Sequence, residues 1–241
     1  LGFESANDVL FSSPIYKSIY IKIENKSFEL FLKEILSQVD EGKTLIPSFC
    51  FVDPFGFSST PFELFINYLK NENSELLINF IYEFTNRFIT HPNEKIKEQI
   101  SEHMGLVSLN ELAKKIKNIE PEKRKKIIIE TYTKNLLEQT NATYVRNFDI
   151  KVDGKTKMIL FHVTKNINGL MLMKEIMWKH DETGQYVYDE NKKLRQLNFD
   201  DILLSDQDLH RKKLSELIYK KFTNKCGVFI EDIEKFVAVE T

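Results

Sequence analysis

Apolar and polar residues change their spacing several times along the chain, and each change predicts an element. Tyr20-Ile21-Lys22-Ile23-Glu24 alternates apolar and polar, the two-residue period of a half-buried strand. From Phe28 to Val39 the apolar positions are Phe28, Phe31, Leu32, Ile35, Leu36 and Val39, which share one face of a helix that Gly42 ends. Leu45 to Val52 closes on Phe49-Cys50-Phe51-Val52, a run so continuously apolar that it predicts a strand buried on both faces, as in a parallel sheet. The run breaks at Asp53-Pro54-Phe55-Gly56. Thr60-Pro61-Phe62-Glu63 then supplies a cap, a first-turn proline and a capping-box glutamate for a helix reaching Lys70. Leu76 to Ile81 is a second buried strand. Two strand and helix units in succession predict crossover connections and a parallel sheet.

Residues 83–141 are more polar and helical in period. Ser108-Leu109-Asn110-Glu111 is another capping box, and Pro121 opens a long helix through Ile127, Ile128, Tyr132, Leu136 and Leu137. Tyr144 to Val152 alternates, Asp153-Gly154 forms a hairpin turn and Lys157 to Val163 returns, so an antiparallel pair is expected to end the sheet. Gly169 to Lys179 is a predicted helix, and Asp181 to Asn198 a polar connector or small flap. In the tail, Leu209 to Phe222 is helical, Val228-Phe229-Ile230 is a predicted short strand and Glu231 to Val239 a second helix. Helix, strand, helix is how a winged-helix module begins. The expected organisation is an α/β core over 1–82 and 142–180, a helical insertion over 83–141, a connector over 181–205, and the start of a winged-helix-like segment over 206–241.

Composition narrows the partners. The 241 residues give room for one core plus a small module. A net charge of -2 means that a nucleic-acid partner needs a local basic face. The candidate is Lys123-Arg124-Lys125-Lys126, in the first turns of the Pro121 helix, where cations are mildly unfavourable. The run reads either as a solvated face or as a phosphate-contacting patch. Only 8 glycines occur, few from which to build a glycine-rich phosphate loop. Cys50 and Cys226 are far apart and fit neither a disulfide framework nor a zinc site, so a reducing cytoplasm is the expected compartment. The histidines show no metal spacing, and no apolar run approaches the roughly 20 residues of a membrane helix, so neither a metal nor a membrane partner is expected.

The segment Phe49 to Phe57 carries the chemistry. An apolar strand delivers Asp53, Pro54 and the aromatics Phe55 and Phe57 to its carboxyl end, where ligands bind in open α/β sheets. Asp-Pro-aromatic resembles the Asp/Asn-Pro-Pro-aromatic signature of methyltransferases that modify exocyclic amino groups. An amine must be held with its lone pair aimed at the methyl it receives. The Asp53 carboxylate and the Pro54 carbonyl are acceptors for its N–H groups, and Phe55 or Phe57 can stack on a base, flipped out if the substrate is duplex. The alternative is a turn in which Asp53 caps backbone N–H groups. Glu24, at the end of its strand, is a candidate for the ribose hydroxyls of a cofactor or a solvated strand-end residue.

Phe51-Val52-Asp53-Pro54-Phe55-Gly56-Phe57-Ser58, Thr60-Pro61-Phe62-Glu63-Leu64, Ile78-Asn79-Phe80-Ile81-Tyr82 with Asn86-Arg87-Phe88, and later Phe161-His162-Val163-Thr164 and Gly169 to Trp178 fall in an order that resembles the three-Cys-motif partner proteins. Those are bacterial proteins with a class I, S-adenosylmethionine-dependent methyltransferase-like fold. The resemblance implies a Rossmann-like methyltransferase sheet and S-adenosylmethionine as cofactor. It also implies a three-cysteine partner protein and a winged-helix-like tail from Asp206. On this reading Asp53, Pro54 and Phe55 are catalytic, Phe57, Asn79 and Arg87 line the substrate cleft, and Glu24 binds the cofactor. The chain departs from the family at its start, where nothing matches the expected Asp-x-Phe-Ala-Gly-Pro-Gly-like cofactor loop. The sequence therefore reads as a fragment beginning after that loop, or as a degenerate cofactor half. In the second case the core is a non-catalytic scaffold for nucleic acid or a protein partner.

Overall fold

The two apolar runs become neighbouring strands in the structure, a computed structural model that describes residues 23–40, 45–54, 60–181, 186–189 and 206–240. β1 (Ser48–Val52) pairs in parallel with β2 (Ser74–Phe80), with Val52 opposite Ile78. Between them runs α2 (Phe62–Leu69), preceded by α1 (Phe28–Asp40). β3 (Tyr144–Val152) and β4 (Lys155–Thr164) form the hairpin, and β4 lies between β2 and β3, antiparallel to both. At the hairpin turn Asp153 and Gly154 have φ of 51° and 70°, the two left-handed residues a type I′ turn requires.

The protein is thus α/β, with a five-stranded mixed sheet of order β1-β2-β4-β3-β5. The hairpin is present but does not end the sheet. β5 (Val187–Asp189), within the predicted connector, adds in parallel to β3. Its three residues are too few for the pattern of a strand to show in the sequence; besides the pairing with β3, the Val187 N–H donates to Asp181 Oδ2 at 2.8 Å.

The helical insertion comprises α3 (Tyr82–Phe88), α4 (Glu94–Met104), α5 (Asn110–Lys115) and α6 (Pro121–Gln139). One sheet face meets these helices and α2 in an apolar core. There Tyr132 of α6 stacks on Phe80, ring centroids 4.8 Å apart, and meets Phe161 edge-on at 4.9 Å. The opposite face carries α7 (Ile167–His180), capped by Asn166, whose side chain accepts from the Asn168 N–H.

Four local expectations change. β1 is not buried on both faces: Phe49 and Phe51 are 55% and 53% exposed, because β1 is the first strand of the described sheet and only its other face meets the core. Thr60 does not cap α2. It is buried, and its hydroxyl lies 3.4 Å from His103 Nδ1, so no side-chain cap forms. Val228 and Phe229 are not in a strand and Ile230 opens α9 (Ile230–Glu240), with the Asp232 carboxylate accepting from the Phe229 N–H. α9 follows α8 (Asp206–Phe222) through a turn, so the helix-strand-helix opening of a winged helix is not formed. Of the strand predicted over Tyr20–Glu24, residues 20–22 lie outside the described residues, and 23 and 24 are not in a strand.

α9 buries one residue, Ala238, and is fastened by polar contacts. The Arg146 guanidinium of β3 donates from Nη2 to the carbonyls of Ala238 and Val239, at 3.1 and 3.2 Å. Lys174 of α7 donates to those of Val237 and Ala238, at 3.0 and 3.2 Å. These are the carbonyls that a helix end leaves without intrahelical partners. Burial, together with the neighbouring Arg146 charge, holds the Lys174 ammonium down to about 7.

Candidate functional site

Parallel pairing puts the carboxyl ends of β1 and β2 side by side, and Asp53 follows Val52 directly above that edge. Asn79, the penultimate residue of β2, is 7% exposed. Its Nδ2 donates to Asp53 Oδ1 at 2.7 Å and approaches Met158 Sδ of β4 at 3.3 Å. Two acceptors around one nitrogen fix the amide orientation, which leaves Asn79 Oδ1 buried with no donor among the described residues. Asp53 itself is exposed and Pro54 buried. The sheet therefore brings together two residues that the sequence assigned separately to catalysis and to the substrate cleft, 26 positions apart.

The other assigned residues are not gathered there. Phe55 and Phe57 lie outside the described residues. Arg87 is exposed in the last turn of α3, its guanidinium 5.9 Å from the centre of the Phe88 ring, with no hydrogen bond to Asp53 or Asn79 among the described residues. Glu24 lies ahead of α1 within 3.7 Å of Lys26, which also binds Glu34 at 2.7 Å.

The basic run at the start of α6 is divided. Lys125 turns inward to an ion pair with Asp149 of β3, both side chains largely buried. Arg124 donates from Nη2 to the Asn86 carbonyl at 2.5 Å. Lys123 and Lys126 are each 75% exposed and lie 3.8 Å from Glu120 and Glu130. Helical geometry explains the division, since four consecutive residues are spread over about 300° of the helix circumference and cannot share one face.

A second polar cluster sits near the amino end of β2, on the same sheet face as the Asn79 side chain, the face that carries α7. His162, 1% exposed, has Nε2 3.0 Å from Glu75 Oε2, and Thr164 donates to Glu75 Oε1 at 3.0 Å. Burial lowers the His162 pKa against the opposing pull of Glu75, so the imidazole is held neutral. Gly169 of α7 leaves the room for this carboxylate: a Cβ there would lie 2.2 Å from Glu75 Oε1. The alternation of β2 and β4 carries the signal for this cluster, because Glu75, His162 and Thr164 occupy the face that Leu76, Phe161 and Val163 do not. Met158 gave no such signal, since a methionine in an apolar strand reads as core.

Among the described residues no group of three or more histidine, cysteine or acidic side chains could hold a metal ion, and no helix is long and apolar enough to cross a membrane. Cys50 is pushed up to about 11 by burial, which disfavours the thiolate. No family model matches the chain, and neither does any curated protein or solved structure.

Proposed function

We propose that the chain is an S-adenosylmethionine-dependent methyltransferase-like protein whose site at Asp53 and Pro54 receives an exocyclic amino group, as of a nucleobase. The observation that supports this reading is the Asn79–Asp53 hydrogen bond at the carboxyl ends of two adjacent parallel strands. That is the edge at which open α/β sheets bind ligands. The parallel pair followed by an antiparallel hairpin in one sheet also agrees with the later half of a methyltransferase-like sheet.

Within this reading Asn79 occupies one oxygen of Asp53 and thereby orients the other. That second carboxylate oxygen and the Pro54 carbonyl accept the two N–H groups of the amine. Both bonds orient the nitrogen lone pair away from the acceptors. The described residues do not fit the cofactor to the same degree. Glu24 is the one candidate for the ribose, and it stands beside Lys26 and outside a strand. No step is therefore derived through the methyl donor. A three-cysteine partner protein and a nucleic-acid substrate belong to the same proposal.

Isothermal titration of the full chain with S-adenosylmethionine tests the reading. Saturable heat and a raised Tm are expected. The Asp53→Ala variant is expected to retain both and to lose methyl transfer to amino-bearing nucleobases. Absence of heat and of a thermal shift at millimolar ligand overturns the proposal.

A further inference from the structure

Arg124 points away from its sequence neighbours. Beside the Asn86 carbonyl its guanidinium is half-buried, and Nε has no acceptor among the described residues. On this flank it joins Lys97 of α4, Lys114 of α5 and Lys117 of the following loop around an open cleft of about 560 Å³. Asn110 and Asn118 add side-chain amides to the wall. No carboxylate and no aromatic side chain lines it among the described residues.

Four cations thus converge from three helices and a loop. Lys97 shares its charge with Glu94 at 2.7 Å, whereas Lys114, Lys117 and Arg124 form no ion pair among the described residues. Like charges brought together repel, and the repulsion is relieved when an anion enters between them. The volume lies within the range of small-ligand sites. A guanidinium fork with several ammonium groups matches the multiple oxygens and charges of phosphate better than a single carboxylate. Without an aromatic wall to stack on, the cleft is built to hold phosphate rather than a base.

We propose that this cleft binds a ligand carrying phosphate groups, held by Lys97, Lys114, Lys117 and Arg124. It is separate from the Asp53 site, and it draws only Arg124 from the basic run at 123–126.

The test titrates the full chain with inorganic tripolyphosphate by calorimetry and with a fluorescently labelled single-stranded oligonucleotide by anisotropy. The double variant Lys114→Gln, Lys117→Gln removes two exposed charges from the cleft. The control variant Lys123→Gln, Lys126→Gln removes two exposed charges outside it. Saturable binding of at least one probe is expected, weakened about tenfold or more by the cleft variant and less than about twofold by the control. For the oligonucleotide, the slope of log Kd against log salt should fall by about 1.4 in the cleft variant. Binding of tripolyphosphate alone assigns a free phosphorylated ligand, and binding of the oligonucleotide alone assigns a nucleic-acid backbone. Failure of both probes to bind, or equal weakening by the two variants, overturns the site. Asp53→Ala should leave this binding unchanged, so a failure here leaves the amine reading standing.

Discussion

Asn79 Nδ2 lies 2.7 Å from Asp53 Oδ1, joining two strand ends that the chain reaches 26 residues apart. A neutral amide is what makes this contact favourable. Replacing it with Asn79→Asp sets two carboxylates against each other in a partly buried place, which raises the carboxyl pKa of the folded pair above its unfolded value. The folded state then binds more protons than the unfolded, so the penalty is present at neutral pH and shrinks as pH falls through the carboxylate range. We expect a loss of about 1–3 kcal/mol at pH 7 relative to the native chain, and a smaller loss near pH 4. Urea midpoints of both proteins at the two pH values measure it. A deficit that stays constant with pH would refute the contact.

His103 predicts acid sensitivity. It is buried against the rings of both Phe80 and Tyr132, and desolvation pushes its pKa down to about 4. In the unfolded chain the imidazole titrates near its ordinary value of about 6.5. Between those values the unfolded state holds more protons. Stability is therefore full above about pH 6.5 and declines as pH falls toward 4, by no more than roughly 3 kcal/mol from this group. His103→Phe keeps the ring stack and should flatten that part of the pH profile. An unchanged slope between pH 6.5 and 4 in the variant would assign the sensitivity elsewhere.

Gly169→Ala should be destabilising through a named clash. The new methyl would meet Glu75 Oε1 and displace the carboxylate from His162 and Thr164. A cost of about 1–3 kcal/mol is expected. Because the clash needs both partners, Glu75→Ala in the same chain should recover part of the loss, giving strong non-additivity in a double-mutant cycle. Additive effects would mean that the two residues do not meet.

Lys125→Met should behave as a core substitution despite lying in a basic run. It strips Asp149 of its partner while Asp149 Oδ1 already has no donor among the described residues. Breaking a buried pair costs about 3–5 kcal/mol. Adding Asp149→Leu removes the stranded charge and should restore much of the stability. Lys126→Met, on the exposed side of the same helix, should shift the denaturation midpoint little.

The fold was legible in the sequence where one residue pattern answers to one environment. Phe28 to Val39, Leu76 to Ile81 and the Asp153-Gly154 turn fall under this heading, since periodicity and turn chemistry act locally. Legibility failed where a neighbour outbids the local preference. Thr60 has the chemistry of a cap but spends its hydroxyl near His103, and Val228-Phe229-Ile230 has β-forming residues with no strand beside it. In the candidate site, the proximity of Asp53 and Asn79 could be anticipated because each lies at the carboxyl end of an apolar strand, and parallel pairing brings such ends together. Lys97, Lys114, Lys117 and Arg124 were not, because their proximity is made by helix packing and leaves no mark in spacing.

The attachment of α9 has a consequence for how the tail can vary. Arg146 and Lys174 grip main-chain oxygens, which are the same whatever side chain a residue carries. Provided that position 238 stays small and the turn stays helical, residues 237–239 can drift without loosening the tether. What must persist is a pair of cations more than sixty positions upstream, on a strand and a helix of the core. The helix α9 thus has a mooring inscribed in another part of the chain, and at positions 237 and 239 its own letters are free to be rewritten.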